Sequence, residues 1–224
     1  MLLFYSLLLS QFFANSLSKN TVETLDLEKY QGRWYQIYGN NYDQLFEKFA
    51  SCITADYTLV PNGNVTVLNS QYEDLNGIQQ IEAYAYYSYN SDPKMYPGEL
   101  TVHLNGVPHD APYWVYNLGP ENSENNDYYD WAIVSDPLKL SLFVLARDVD
   151  YYYENYDSEV LEILNEYDFD NLVTVSHDDC EYVPYNTRIL LKTGTYQDKE
   201  KFSVPITNYR EPVVKARVPE VKKH

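Results

Sequence analysis

Between Trp34 and Arg147 short runs rich in β-branched and aromatic residues alternate with clusters of turn formers. The runs are 34–38, 52–60, 65–71, 78–89, 99–104, 113–118, 128–134 and 141–147. The separators carry turn chemistry: Pro61-Asn62-Gly63, Asn76-Gly77, Ser91-Asp92-Pro93, Asn105-Gly106, Gly119-Pro120 and Asp136-Pro137. Eight strands at this spacing predict an all-β sandwich or up-and-down barrel. Period-two alternation assigns faces within several runs. Leu100, Val102 and Leu104 share one side, as do Ile53, Ala55 and Tyr57, and as do Phe143, Leu145 and Arg147. An arginine closing an apolar row needs a partner, and an aromatic face can serve. After the eighth strand the period changes to helical. Val160, Leu161, Ile163, Leu164 and Tyr167 recur behind a cap at Asp157 or Ser158, and residues 172–176 read as a short ninth strand.

The two ends differ from this middle. Residues 1–16 hold an apolar stretch too short to span a bilayer, followed by Ala14-Asn15-Ser16. This reads as a secretory signal peptide cut after Ser16, against an uncleaved strand or helix. From Asn186 onward there are nine basic and four acidic residues. That is a net of +5, which leaves −22 on the rest of a chain whose total is −17. The asymmetry divides the chain into residues 1–16, a barrel domain over 17–185 and a basic tail over 186–224. The tail either lies on its own acidic body or meets a protein or membrane surface.

The remaining features narrow the chemistry. A strongly negative net charge opposes a nucleic-acid groove, because phosphate would be repelled. The two cysteines, Cys52 and Cys180, allow one pairing, and secretion would favour a disulfide over two free thiols. Asn64-Val65-Thr66 is a glycosylation sequon after a turn. The four histidines fall at His103, His109, His177 and His224 and form no metal-ligand spacing. His103 points off the apolar face of its strand, and His177 beside Asp178 and Asp179 offers at most a weak cation site. The acidic stretches 121–130 and 148–157 read as solvated loops. No nucleophile, phosphate loop or dinucleotide motif stands out, so neither an enzyme nor a cofactor is expected.

The order of elements, and residues at fixed points in it, resemble the lipocalins. Gly32-Arg33-Trp34 looks like the Gly-x-Trp signature of the family's first strand. Asn126-Asp127-Tyr128 is similar to its Thr-Asp-Tyr element, with Asn in place of Thr, and Arg147 stands where the family ends its eighth strand. Cys52-Ile53 with Ala55 and Tyr57, Ala111-Pro112-Tyr113-Trp114-Val115, Trp131-Ala132-Ile133-Val134 and Leu145-Ala146-Arg147-Asp148 look like the apolipoprotein D and bacterial-lipocalin branch. The resemblance covers Leu25 to Tyr182. It implies an eight-stranded antiparallel up-and-down barrel with one helix and a short ninth strand. It implies that Trp34 closes the barrel floor with Arg147 stacked on its indole, and that Cys52–Cys180 staples the barrel to the segment after the helix. The inward rows would then form a binding cavity, with Tyr38, Tyr57, Leu104 and Phe143 as wall residues and Tyr84 and Tyr86 as further candidates. The expected partner is a small hydrophobic molecule, retinoid-, sterol- or fatty-acid-like, with a neutral or cationic polar end easier to hold than a carboxylate. The alternative is an extracellular interaction protein that fills its barrel with its own side chains and uses its surface or its tail.

Overall fold

The computed structural model describes residues 21–41, 50–88, 92–122 and 127–188. A single helical turn, α1 (Leu27–Tyr30), is capped by Asp26, whose carboxylate accepts from the Glu28 N–H. Eight strands follow as a meander: β1 (Gly32–Asn40), β2 (Ser51–Leu59), β3 (Val65–Glu73), β4 (Gly77–Tyr86), β5 (Glu99–Leu104), β6 (Ala111–Leu118), β9 (Trp131–Ser135) and β10 (Leu142–Ala146). Between β6 and β9 lies a two-residue ribbon of β7 (Glu121–Asn122) and β8 (Tyr128–Tyr129). Every pairing in the meander is antiparallel, and β10 pairs back onto β1, which closes the barrel. Helices α2 (Val149–Asn155) and α3 (Asp157–Glu166) come next, and β11 (Leu172–Thr174) adds to the outer half of β1.

The turn chemistry does what its residues allow. Gly63, at the β2–β3 hairpin, sits at φ +84°, a backbone conformation other residues rarely adopt. Gly119 answers a different need, since a Cβ there would lie 2.5 Å from the Trp131 indole.

Three elements differ from the sequence expectation. The stretch 128–134 is not one strand, because it breaks at Asp130. The buried Asp130 carboxylate accepts from Asn122 (3.0 Å) and from the Tyr156 hydroxyl (2.7 Å), which pulls the backbone off the ladder. The acidic stretch 148–157 is not a loop: residues 149–155 are helical. Asp148 caps this helix through the Tyr151 N–H, and Tyr152 turns inward while Asp150 and Glu154 stay in solvent. Asp157 does not cap α3. It is the first residue of that helix, and its carboxylate accepts the Tyr38 hydroxyl at 2.8 Å.

The apolar side chains divide into two layers separated by the barrel wall. Trp34, Ala55, Tyr57, Val65, Val67, Ala83, Ala85, Leu100, Val115, Val134 and Leu145 pack inside. Ile37, Tyr116, Ile133, Leu142 and Val144 pack outside, against Tyr152, Val160 and Leu164 of the helices. Neighbours such as Ile133 and Val134, or Val144 and Leu145, go to opposite layers because side chains alternate across a strand. Ile53 departs from the row expected for it. It joins Ala50 and Val175 in a small separate cluster beyond an irregularity in the β2–β3 register.

Candidate functional site: the barrel interior

The closed end is built around Arg147. Its guanidinium carbon lies 3.6 Å from the centre of the Trp34 ring, and its N–H groups donate to the carbonyls of Lys29, Tyr30, Gln31, Arg33 and Tyr129. The buried charge is thus solvated by backbone dipoles and an aromatic face. The Trp34 indole N–H donates to Tyr30 O at 2.8 Å. One residue therefore ties the turn of α1, the start of β1 and the end of β10 together. Arg147 is on the wall, but its donors are committed to backbone.

Above this floor stand three tyrosines in one hydrogen-bonded chain. The Tyr113 hydroxyl lies 2.7 Å from that of Tyr30 and 3.0 Å from that of Tyr57. Burial pushes all three phenols up, Tyr57 to about 12, so each is a neutral O–H at physiological pH. Three hydroxyls carry three protons and make two links, which leaves one O–H proton for an acceptor outside the trio. Leu25, Leu27, Val65, Ala85 and Leu100 surround them, and the space left among these side chains is about 10 Å³, on the order of one water. The lower half of the barrel is filled.

The interior changes character higher up. In β3 the inward row begun by Val65 and Val67 continues as Asn69, Gln71 and Glu73, and in β4 Ala83 and Ala85 are preceded on the same face by Ile81 and Gln79. Glu73 accepts from Gln71 (2.9 Å) and Asn76 (2.6 Å). The cavity wall is apolar and tyrosine-rich below and polar toward the mouth.

The structure sorts the expected wall residues. Tyr57, Leu104 and Phe143 pack on the interior cluster, with Leu104 opposite Ala83 and Phe143 opposite Val134. Tyr38 does not line the interior. A register shift in β1 after Gln36 sends it outward, where its ring meets Tyr153 and its hydroxyl Asp157. Tyr84 and Tyr86 are also outside, because the buried Ala83 and Ala85 take the inward positions of β4. Tyr30 and Tyr113 were missed. Tyr113 shares a face with Val115 and was legible by alternation; Tyr30 comes from a four-residue turn with no periodic signal.

The other candidate residues lie away from the cavity. Cys52 and Cys180 form a disulfide with Cα atoms 5.6 Å apart. Asn64 is half-exposed at the β2–β3 hairpin. His177 is no cation site, since its ring nitrogens contact Gln36 O (2.8 Å) and the Tyr182 hydroxyl (2.7 Å). Burial lowers its pKa. His103 sits on the outer face of β5, His109 is exposed in the β5–β6 loop, and His224 falls outside the described residues, as does the stretch 1–16. Among the described residues no group of three His, Cys, Asp or Glu side chains is placed to hold a metal, and no helix is long and apolar enough to cross a membrane.

Comparison with known proteins agrees with this architecture. A lipocalin-like domain family model matches residues 25–177. Apolipoprotein D of Rattus norvegicus is 35% identical over 112 residues, 50% of this chain and 51% of that protein, so the chain spans about half the length of that relative. Outer membrane lipoprotein Blc of Vibrio cholerae is 32% identical over 131 residues, 58% of this chain and 69% of that protein. In fold the chain is similar to insecticyanin of Manduca sexta, with a TM-score of 0.52 at 16% identity, covering 71% of this chain and 85% of the other. A closed eight-stranded barrel, a floor arginine on a tryptophan and a family match over residues 25–177 together place this chain in the lipocalins, a family that binds small hydrophobic ligands.

Proposed function

We propose that this protein is a secreted carrier that holds one small amphipathic molecule inside its barrel and catalyses no reaction. The observation that carries the reading is the hydrogen-bonded trio Tyr30–Tyr113–Tyr57 in an apolar interior, whose two links use two of its three O–H protons. A ligand's neutral acceptor oxygen, a hydroxyl or carbonyl, would take the third. Its apolar body would lie against Tyr57, Leu104 and Phe143, with entry from the polar end of the barrel. The N–H donors of the inward arginine are engaged by backbone carbonyls at the closed end, so a ligand carboxylate would have to displace those bonds to pair with Arg147. This favours an alcohol or ketone of retinoid or sterol type over a fatty acid. The apolar stretch at residues 1–16, the Cys52–Cys180 disulfide and the half-exposed sequon at Asn64 support secretion and glycosylation.

The second reading, an interaction protein with a filled barrel, is favoured by one observation: only about 10 Å³ is left beside the trio. Binding in the lower half therefore requires Leu25, Leu27 or a tyrosine ring to shift. Fluorescence titration with retinol and with retinoic acid separates the readings, because the two share an apolar body and differ in head group. Retinol binding at least about tenfold tighter than retinoic acid (about 1.4 kcal/mol) is expected, with the preference lost in Tyr113→Phe. Equal affinities would overturn the head-group assignment. Failure of both probes, with a clean apo mass for the secreted protein, would establish the filled barrel.

A further inference from the structure

The segment after the disulfide does not leave the barrel; it crosses the outer wall as a strap. Val183 O accepts from Arg33 of β1 (2.7 Å), the Tyr185 hydroxyl donates to Tyr57 O of β2 (2.7 Å), and Thr187 O accepts from Gln80 of β4 (2.9 Å). The Asn186 N–H donates to Asp56 of β2, whose carboxylate also accepts from Nε and Nη2 of Arg33 (2.7 Å each). Arg188 pairs with Glu82 of β4. The strap thus runs past 185, where the charge boundary placed the end of the domain.

Its path follows one row of the sheet. Arg33 is opposite Asp56, Asp56 opposite Leu68, and Leu68 opposite Glu82. Leu68 faces outward yet is only 3% exposed. The next position in that row is Asn105, whose N–H donates to Glu82 O. Beside it, on the outer face of β4 and β5, lies an unusual surface. The Tyr84 ring stacks on His103 (5.0 Å) and on Tyr86 (5.7 Å), while Asp110 accepts from the Tyr86 hydroxyl and contacts His103 Nδ1 at 2.7 Å. It is a half-exposed aromatic platform ending in an exposed carboxylate.

We propose that this platform is the dock for the chain's own continuation, residues 189–192, so that the strap extends over β5. Three observations choose this occupant. The strap reaches β4 heading toward β5, and adjacent strands are about 5 Å apart, so about two extended residues carry the chain over His103. The continuation reads Ile189-Leu190-Leu191-Lys192, three apolar residues and then a cation, a chemistry complementary to the tyrosine and histidine rings and to the Asp110 carboxylate. Charge agrees, because residues 189–224 carry eight basic and four acidic groups, a net of +4, against −21 on residues 1–188.

Hydrogen exchange by mass spectrometry on the full chain tests this. Amides of residues 189–193 are expected to exchange at least about tenfold more slowly than those of residues 212–224. Asp110→Lys abolishes that difference, and adding Lys192→Glu restores it. Asp110 is an exposed loop residue, so the fold survives its change, and Asp110→Asn, which keeps the hydrogen bonds, loses only part of the protection. Zero-length carbodiimide coupling should join Lys192 to Asp110. Exchange of residues 189–193 at the free-peptide rate, protection indifferent to Asp110→Lys, or coupling of Lys192 only to acids elsewhere would each overturn the proposal.

Discussion

Two pairs of tyrosines on this barrel do opposite work. Tyr57 and Tyr113 point into the barrel, share hydroxyl contacts with Tyr30, and are buried enough that their phenols are held well above their ordinary range. Tyr84 and Tyr86 stand on the outer face of β4, stacked on each other and on His103, with the Tyr86 hydroxyl on Asp110. The residue type is the same and the strands are parts of one sheet. The face decides whether a tyrosine turns its hydroxyl into the enclosed interior or leaves its ring half-exposed on the outer wall. On β4 that choice was made by alanine: Ala83 and Ala85 leave room for the inner tyrosines, and their neighbours are pushed out.

Perturbations can break this contrast, beginning with the outer layer. Replacing Cys52 and Cys180 by alanine frees a loop of 128 residues. It is expected to lower stability by about 4–5 kcal/mol on the chain-entropy account, read as a drop in the guanidinium midpoint. The effect should reach the strap first, so exchange should rise in residues 181–188 before it rises at Tyr113.

The floor comes next. Arg147→Ala leaves buried carbonyls without donors and removes the indole's partner. A loss of about 3–4 kcal/mol is expected in urea unfolding. Arg147→Lys should recover only part of it, since an ammonium cannot reproduce the fork that reaches Arg33 O and the α1 carbonyls together. A full rescue by lysine would show that the charge alone matters.

The inner and outer tyrosines can then be compared directly. Tyr113→Phe removes the central hydroxyl of the trio and is expected to cost about 1–2 kcal/mol. Tyr86→Phe, at an exposed hydrogen bond, should change stability by less than about 0.5 kcal/mol. Equal costs would erase the distinction between the two faces.

The smallest effect concerns pH. Burial holds the His177 pKa below its ordinary value, so the folded chain keeps this ring neutral where the unfolded chain begins to take a proton. Stability from neutral His177 is complete above about pH 6.5 and is lost as the pH falls toward the folded pKa. Denaturation midpoints between pH 7.5 and 5.5 should fall, and the slope should flatten in His177→Gln.

Much of this was legible in the alternation itself. The faces of β5 and β10 were assigned correctly from Leu100, Val102, Leu104, Phe143 and Leu145, because the rows are uninterrupted there. The reading failed where the chain leaves strict period two. The shift after Gln36 moved Tyr38 to the outer layer, and the break at Asp130 split a run that looked continuous. It failed again at residues 149–155, where a high density of acids and tyrosines concealed a helix. There one capping aspartate and one inward Tyr152 were enough, because the outer wall of the barrel supplied the surface to pack on.

The sequence by itself determined the order of the eight barrel strands, most of the turns and the family resemblance, because these rest on local backbone preference and on residues at fixed intervals. Only the tertiary structure decided which tyrosines meet, how much space they leave, and where the chain goes after Cys180. Tyr30, Tyr57 and Tyr113 are 27 and 56 residues apart along the chain, and no periodicity links them. Their contact exists because barrel closure brings α1, β2 and β6 to one point, and burial there joins three ordinary phenols into one hydrogen-bonded cluster.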